Sequence, residues 1–554
     1  MMNKSVAILL LAFMSFTFLQ AQRDNVPATI SWGEELREPA NSFIAKTISA
    51  GPWGFNILRL RQGNVMNGDQ VFLERYDEKL RLKKSEKIDL RYKSKKRAFE
   101  DLVKIGGQLY LFTSFNNQVK KKNYLFYQKV SHRLTPSRDI VKVGEIDTKN
   151  KYKQGNFDLA LSRDSSKVLI YNGLPYKKNE PERFTLRVFD DQMQELWTRD
   201  IALPYNDNVF EIEEYRVDKE GNVYILGIVY KDGTRLQRRG QPTYGYTVIA
   251  YLNDGTEKQE YRIELEDKFI TDLTFRVAND GNLVCSGFYS DRGTISIKGT
   301  YFLRMNAKSK EIYNVNYKAF DLDFLTFNMN QGQKRRAERN ERSGNENRAP
   351  ELARFSLDEL IMRTDGGAVL VAEQYYVYQQ NFDRNFGYDP FWGNRWGRWG
   401  RWGNPYGTGN NQTNFFYHYN DILIINIKPN GEIEWASRIP KRQETMNDAG
   451  YYSSYSMATV RDRFYFIYND NPRNFDGRVQ SGQRRVRYNF NGSASVVSLA
   501  EVKIDGSVKV MPLFTNRDAD VITRPKICRQ SSSKHMLIYG ERGRNFRFAD
   551  LAFK

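Results

Sequence analysis

A tight hairpin that recurs along the chain is the feature that most restricts its fold. The clearest copy runs Val217-Asp218-Lys219-Glu220-Gly221-Asn222-Val223-Tyr224-Ile225-Leu226-Gly227, in which a polar turn joins two apolar strands and Gly221 takes positive φ cheaply. Residues 277–287, VANDGNLVCSG, repeat it. Weaker copies stand at Gly106-Gly107, Asp164-Ser165-Ser166, Asp365-Gly366, Arg461-Asp462-Arg463, Ser532-Ser533-Lys534 and, blurred, Pro52-Trp53-Gly54. A second class of turn alternates with the first, at Asp77-Glu78, Leu134-Thr135-Pro136, Asp190-Asp191-Gln192, Asp254-Gly255, Lys308-Ser309, Asn430-Gly431 and Asp505-Gly506. Two hairpins per unit make four strands, and a unit recurs every ~53 to 60 residues, the spacing of a propeller blade with its loops.

The expected fold is therefore all-β, a single eight-bladed β-propeller of four-stranded blades, with seven blades as the alternative. Two stacked β-sandwiches would match the strand content but not the alternation of turns. The last unit ends at Phe548-Ala549-Asp550-Leu551-Ala552-Phe553 as a third strand, and residues 28–36 are placed to supply its fourth. Such a closure removes the sheet edges that an open array would expose. The D-x-x-G-N-V-Y turn, with Gly431-Glu432-Ile433-Glu434-Trp435, resembles the blade repeats of secreted β-propellers. The resemblance implies a fold and no particular activity, because propellers host binding modules and enzymes alike.

Lys4, an apolar run over residues 6–19 and a small-residue exit at Ala21 read as a cleaved secretory signal. Residues 1–21 are set apart on that ground, leaving 22–554 as the propeller. The protein is expected to be exported, and the periplasm is favoured over the exterior because residues 548–553 are needed for the last blade rather than for a sorting domain. No later apolar run is long enough to span a bilayer, although peripheral membrane association is compatible with a net charge of +19. Two cysteines, Cys285 and Cys528, exclude a disulfide framework. With aromatics at 14% and hydrophobics at 40%, stability has to come from a core.

Strand direction alternates within a blade, so both short turn classes fall on one face, and the connections between strands b and c and between blades fall on the other. Insertions at about 331–350, 379–413 and 469–491 all belong to this second face, where function is expected. It is rich in basic residues, among them Lys121, Arg239, Arg484 and Arg485. The segment 391–403 repeats a W-G-R motif through Trp392, Arg395, Trp396, Arg398, Trp399, Arg401 and Trp402. Flat indole faces and planar guanidinium forks suit a sugar, a carboxylate, a sulfate or a phosphate. The same tryptophans could instead fold back as a cap over the propeller mouth. Residues 331–350, highly charged and almost without apolar side chains, read as a solvated disordered loop.

Three histidines, His132, His418 and His535, lack metal-ligand spacing, and no G-x-S-x-G elbow or P-loop is present. No catalytic residue, metal or cofactor is assigned. In the acidic cluster Glu211, Glu213 and Glu214, strand alternation would put the first two on one side and Glu214 on the other. The leading expectation is a non-catalytic binding or scaffold protein of the cell envelope or exterior that holds an anionic glycan or an envelope protein. A propeller enzyme acting on a glycan or polyanion, and a subunit of an envelope export or assembly complex, are the alternatives. Export disfavours nucleic acid as the partner.

Overall fold

The computed structural model describes residues 26–554 apart from 50, 52–53, 62–69, 93–94, 149–154, 175–179, 231–243, 266–267, 279, 292, 294–295, 344–348, 381–413, 478, 480–483 and 490–494. Residues 1–21, read from the sequence as a secretory signal, lie outside the described residues. Eight antiparallel sheets built on four strands follow one another: blade 1 over 42–88, blade 2 over 98–147, blade 3 over 158–206, blade 4 over 210–263, blade 5 over 269–319, blade 6 over 355–446, blade 7 over 456–515 and blade 8 over 522–553. Each blade runs from an innermost strand a to an outermost strand d. The protein is an eight-bladed β-propeller, and the seven-blade and sandwich alternatives fall away. All the alternating turns of the sequence sit between consecutive strands, except the site at 52–53, which lies outside the described residues.

The ring can be followed through one contact per blade junction. Lys46 pairs with Asp101 (3.1 Å), Gly106 N–H donates to the Ser165 carbonyl (3.3 Å), and the Trp197 indole donates to the Gly221 carbonyl (3.0 Å). Arg216 donates to Thr274 (3.2 Å), Leu357 N–H to Asp272 (2.9 Å), and the Tyr455 hydroxyl to Asp358 (2.6 Å). The Ser456 hydroxyl reaches the Cys528 carbonyl (2.8 Å), and Thr47 returns the ring to blade 1 through the Ile527 carbonyl (3.3 Å). The apolar core is divided in the same way, into clusters between neighbouring sheets. This follows from strands whose two faces are both covered by adjacent blades.

Two details explain residues that the repeat carries. In blades 1, 2, 4, 5 and 6 the ladder between strands a and b skips one residue of strand a, forming a β-bulge. The bulge brings the inner strand close to strand b: a Cβ on Gly287 would lie 2.0 Å from the Asp272 carbonyl oxygen, and one on Gly227 would lie 2.2 Å from the Phe210 ring. The glycine that ends each of the two best repeats is therefore a packing requirement. The bulge also corrects the expected alternation at the acidic cluster. Glu211 opposes Ile228 and Glu214 opposes Leu226, so Glu211 and Glu214 share a side and Glu213 is the extra residue.

Residues 331–350 are a second correction. Gln331–Arg342 is an α-helix, preceded by a short helix Leu322–Thr326. Local chemistry forms it: Asn330 and Gln333 make a reciprocal capping box, Lys, Arg, Glu, Gln and Ala all favour helix, and Ala337 alone is buried. Low apolar content therefore does not prevent order. Cys285 sits in strand b of blade 5, whereas Cys528 follows a 3-10 turn that interrupts strand a of blade 8; both are buried and free. Among the described residues no helix is long and apolar enough to cross a membrane.

The N-terminal strand Ala28–Trp32 pairs with Asn545–Phe553 in the register Ala28↔Phe553 to Trp32↔Ala549, as the unfinished last unit required. Beside this closure, Phe548 packs edge-to-face on Phe55 and Tyr76 and tilted against Tyr539 (ring centroids 4.9, 4.8 and 5.4 Å), tying blade 8 to blade 1. The same junction buries three carboxylates and two guanidiniums. Glu74 takes Arg59 in a bidentate pair (2.7 and 3.2 Å), Glu38 shares Arg59, and Glu541 lies 3.7 Å from Arg524 and accepts from Tyr452 (2.9 Å) and Tyr539 (2.6 Å). One negative charge is in surplus when all five groups are ionised. Burial and, less strongly, the nearby Glu541 raise the pKa of Glu38 from 4.5 to about 7 against the pull of Arg59 and Arg524.

Folded Glu38 thus keeps a proton that the unfolded chain has released between pH 4.5 and about 7. Stability from this group is full below that window and is lost as pH rises through it, a difference of about 3 kcal/mol. Thermal melts from pH 5 to 8 should show the loss, and Glu38→Gln, which cannot ionise, should flatten it. An equal slope in the variant would assign the pH dependence elsewhere.

Candidate functional site

Blade 6 departs from the others on the second face. Its strands b, c and d, Ala368–Gln380, Asn414–Ile427 and Ile433–Met446, are 13, 14 and 14 residues long, against 8 for Val223–Tyr230 of blade 4. The additional residues carry the sheet about 17–20 Å past the common rim. Within the insertion at 469–491, Tyr488–Asn489 adds a fifth, parallel strand to this sheet through Gln443↔Tyr488. His418 lies inside strand c, paired with Tyr376 and Glu444.

One side of the projecting sheet roots it to blade 7. Lys441 is fully buried, and its ammonium donates to Glu373 (2.7 Å), the Tyr419 carbonyl (3.0 Å) and Gln443 (3.0 Å). Glu373 also accepts from the Ser454 hydroxyl (2.8 Å), and the Gln443 amide donates to the Asn469 carbonyl (2.8 Å). All three ammonium protons have acceptors, which offsets the cost of burying the charge. Lower on the opposite side, Arg438 is held by Asp421 (3.4 Å) and by Phe324 and Phe327 (4.5 and 5.3 Å to the ring centroids) and fixes the helical insertion against blade 6.

That opposite side also carries the candidate site. Tyr376 stacks on His418 (4.3 Å, 13° between planes), and the Arg354 guanidinium lies 4.9 Å from the Tyr376 ring centroid. Glu444 joins His418 (3.6 Å) to Arg487 (2.6 Å). Arg442, two residues before Glu444 on the same strand, has its pKa drawn down by burial and by the charges of Arg484 and Arg487. His418 is likewise drawn down, first by burial and then by Arg487, Arg354 and Arg442, with Glu444 opposing. Of the four guanidiniums, Arg487 pairs with Glu444, and Arg354, Arg442 and Arg484 form no ion pair among the described residues. Farther out, Tyr378 (55% exposed) and Phe416 (6.3 Å between rings) leave apolar surface beside the charges, with Met446 (54% exposed) across the strand from Phe416. Neutral imidazole, open guanidinium forks and aromatic faces can together bind a carboxylate, sulfate or phosphate carried on an apolar or sugar frame.

Of the residues expected from sequence, Arg484 belongs to this cluster. Arg485, its neighbour in the chain, donates to the Asn474 carbonyl (3.0 Å) and packs on Phe475 (5.5 Å), bracing the insertion. Lys121 is exposed at the b–c turn of blade 2, with φ at 51°. Blade 2 stands opposite blade 6 in a ring of eight, so Lys121 shares the face but not the cluster. Arg239 and Trp392, Arg395, Trp396, Arg398, Trp399, Arg401 and Trp402 lie outside the described residues; the W-G-R segment joins strands b and c of the projecting sheet. Arg354, Tyr376, Arg442 and Glu444 are not singled out by the sequence. The signal that points to them is the length of the apolar runs at 368–380 and 414–427, too long for one blade.

At the propeller axis, the acidic side chains of the inner strands are tied into the packing: Asp101 to Lys46, Asp358 to Tyr455, Glu211 to Tyr230 (2.9 Å) and Glu214 to Arg216 (2.7 Å). Exposed Glu359 is nevertheless desolvated and titrates above the usual carboxylate range, with Arg163 of blade 3 as its counter-charge.

No protein-family model matches the sequence, and no curated protein matches it. Solved structures similar to the chain include the WD40 domain of SCAP from fission yeast, at 8% identity over 95% of this chain and 98% of that one, with a TM-score of 0.37. Others are the β-propeller domain of the Trilobed protease from Pyrococcus furiosus (11% identity, 60% and 90% covered, TM-score 0.26) and an α-L-arabinanase of Penicillium chrysogenum complexed with arabinobiose (9%, 62% and 94%, TM-score 0.30). At these values the likenesses carry no argument about activity, and the fold rests on the strand pairing itself.

The cluster has a spectroscopic signature. With three histidines in the chain, the His418 imidazole can be followed by NMR and should titrate below 6.5. Glu444→Gln should lower it further and Arg487→Gln should raise it. Unchanged titration in both variants would dissolve the cluster.

Proposed function

We propose that this chain is an exported, non-catalytic binding or scaffold protein of the cell envelope, with the periplasm as its destination. Its second face holds an anionic glycan or an acidic patch of an envelope protein. The observation that carries the reading is the excess of guanidinium over carboxylate on the projecting sheet of blade 6, beside exposed aromatic surface. Guanidinium forks recognise carboxylate, sulfate and phosphate by paired hydrogen bonds, and aromatic faces accept sugar rings or apolar side chains. The W-G-R segment, with Arg395, Arg398, Arg401 and its tryptophans, offers the same chemistry in the connection between two strands of that sheet. Lys121, Arg239 and the net charge of +19 contribute long-range attraction rather than grip.

Binding to heparin and to polygalacturonate separates sulfate from carboxylate recognition, and crosslinking in envelope fractions identifies a protein partner if neither glycan binds. Arg442→Ala with Arg484→Ala should weaken the interaction by roughly tenfold or more for each guanidinium removed and flatten its salt dependence. Arg395→Ala, Arg398→Ala and Arg401→Ala together test the loop separately. Binding and salt slope indifferent to both sets would remove the second face from the account.

A further inference from the structure

The helix Gln331–Arg342 carries more positive charge than its folding calls for. Its sequence, QGQKRRAERNER, holds five cations, Lys334, Arg335, Arg336, Arg339 and Arg342, against two carboxylates, Glu338 and Glu341, and it buries Ala337. At 3.6 residues per turn, Arg335, Arg339 and Arg342 fall within about 40° of the line opposite Ala337, with Arg336 at their flank. All four are exposed. Glu341 falls on the Ala337 side, away from the row. Among the described residues no ion pair engages any of the four, and Arg339 donates to the Arg335 carbonyl (3.4 Å). A face kept for solubility mixes both signs, and like charges four residues apart, as at Arg335 and Arg339, weaken a helix. The capping box of Asn330 and Gln333 offsets that cost.

The fold holds this row beside the guanidinium cluster of blade 6. Two residues ahead of Asn330, the Asn328 amide donates to Asp421 of strand c (2.6 Å), and Arg438 of strand d donates to the Phe324 carbonyl (2.6 Å). Beyond the helix the chain returns to the same sheet, where Tyr375 N–H donates to the Arg354 carbonyl (3.0 Å) and the Arg354 guanidinium lies 4.9 Å from the Tyr376 ring centroid. Both ends of the excursion therefore land on blade 6. Asp421 stands three residues from His418, roughly 10 Å along the strand.

The three guanidiniums of the row follow one another at roughly 6 and 4.5 Å along the helix axis, an arrangement that suits a chain presenting one acidic group after another. A bilayer suits it poorly, because the helix has no apolar face to bury among lipid tails. We infer that the helix is a second contact for a linear polyanionic glycan that also occupies the blade 6 cluster, so the ligand of this face is an extended acidic polysaccharide rather than a single anionic sugar. This rests on the reading of the blade 6 cluster as an anion site and adds a length requirement to it. Linked contacts raise affinity only for a ligand long enough to engage both.

Calorimetric titration with heparin and with polygalacturonate, each as a fragment of ~4 sugars and as a chain of ~20, tests it. The triple variant Arg335→Gln, Arg339→Gln, Arg342→Gln keeps good helix formers. It should bind the long chain of the recognised glycan roughly tenfold or more weakly than the parent, with a shallower salt dependence. The short fragment should bind parent and variant equally, which also shows the ring intact. Lysine at the same three positions, retaining charge without the fork, should fall between, and Arg442→Ala with Arg484→Ala should weaken both lengths. A helix variant that holds the long chain as tightly as the parent, while the sheet variant loses it, would overturn the inference and leave the anion site of blade 6 standing. Binding of neither glycan at either length would overturn it together with the glycan reading of that site. Phosphatidylglycerol vesicles captured through the helix arginines, with no preference for the longer glycan, would assign the row to a membrane instead.

Discussion

The pairing of Ala28–Trp32 with Asn545–Phe553 is the contact on which the rest of the structure depends. Without it the last blade lacks its outer strand, and Asn545–Phe553 becomes an open sheet edge. Long-range pairing of this kind is slow to form and entropically costly. The junction compensates with four mutually packed aromatic rings and a network of five buried charged groups. Arg59 is 1% exposed and fully committed to Glu74 and Glu38, so it fixes the position of the chain that leads from the closing strand into blade 1.

A closed ring also sorts the connections. Short turns occupy the first face, where a glycine turn can fit under a side chain of the preceding blade or hairpin; Gly506, for example, lies beneath Trp435, where a Cβ would come within 2.7 Å of the indole. The second face has no such constraint and accommodates the helical insertion, the lengthened sheet of blade 6 and the excursion that returns as its fifth strand. The guanidinium cluster is a product of that freedom. Its residues come from the connection ahead of blade 6, from three strands of blade 6 and from the insertion of blade 7.

Local chemistry makes the hairpins readable in the sequence. A turn needs Gly, Asp or Asn at fixed offsets, and an apolar run on either side signals strands without reference to distant residues. The closure is readable for a related reason: a unit missing one strand demands another from elsewhere. The bulges are not, since they are a property of register, and one skipped residue moves Glu214 to the side of Glu211. The helix at 331–342 is hidden from a reading of composition, which speaks to burial, whereas capping and intrinsic propensity sustain it. The cluster around His418 is hidden by distance along the chain, with Arg354 and Arg487 separated by the whole of blade 6. Even adjacent arginines take different roles, Arg484 belonging to the cluster and Arg485 bracing a loop.

The closing strand can be tested by paired cysteines at Thr29 and Ala552, which the register places directly opposite each other, within the Cα separation of ~7 Å that a disulfide tolerates. Both native thiols are buried, so mild oxidation should yield a single intramolecular bridge between the N-terminal and C-terminal peptides and a raised melting temperature. Oxidised protein in which these peptides remain unlinked, or link only between molecules, would contradict the closed ring.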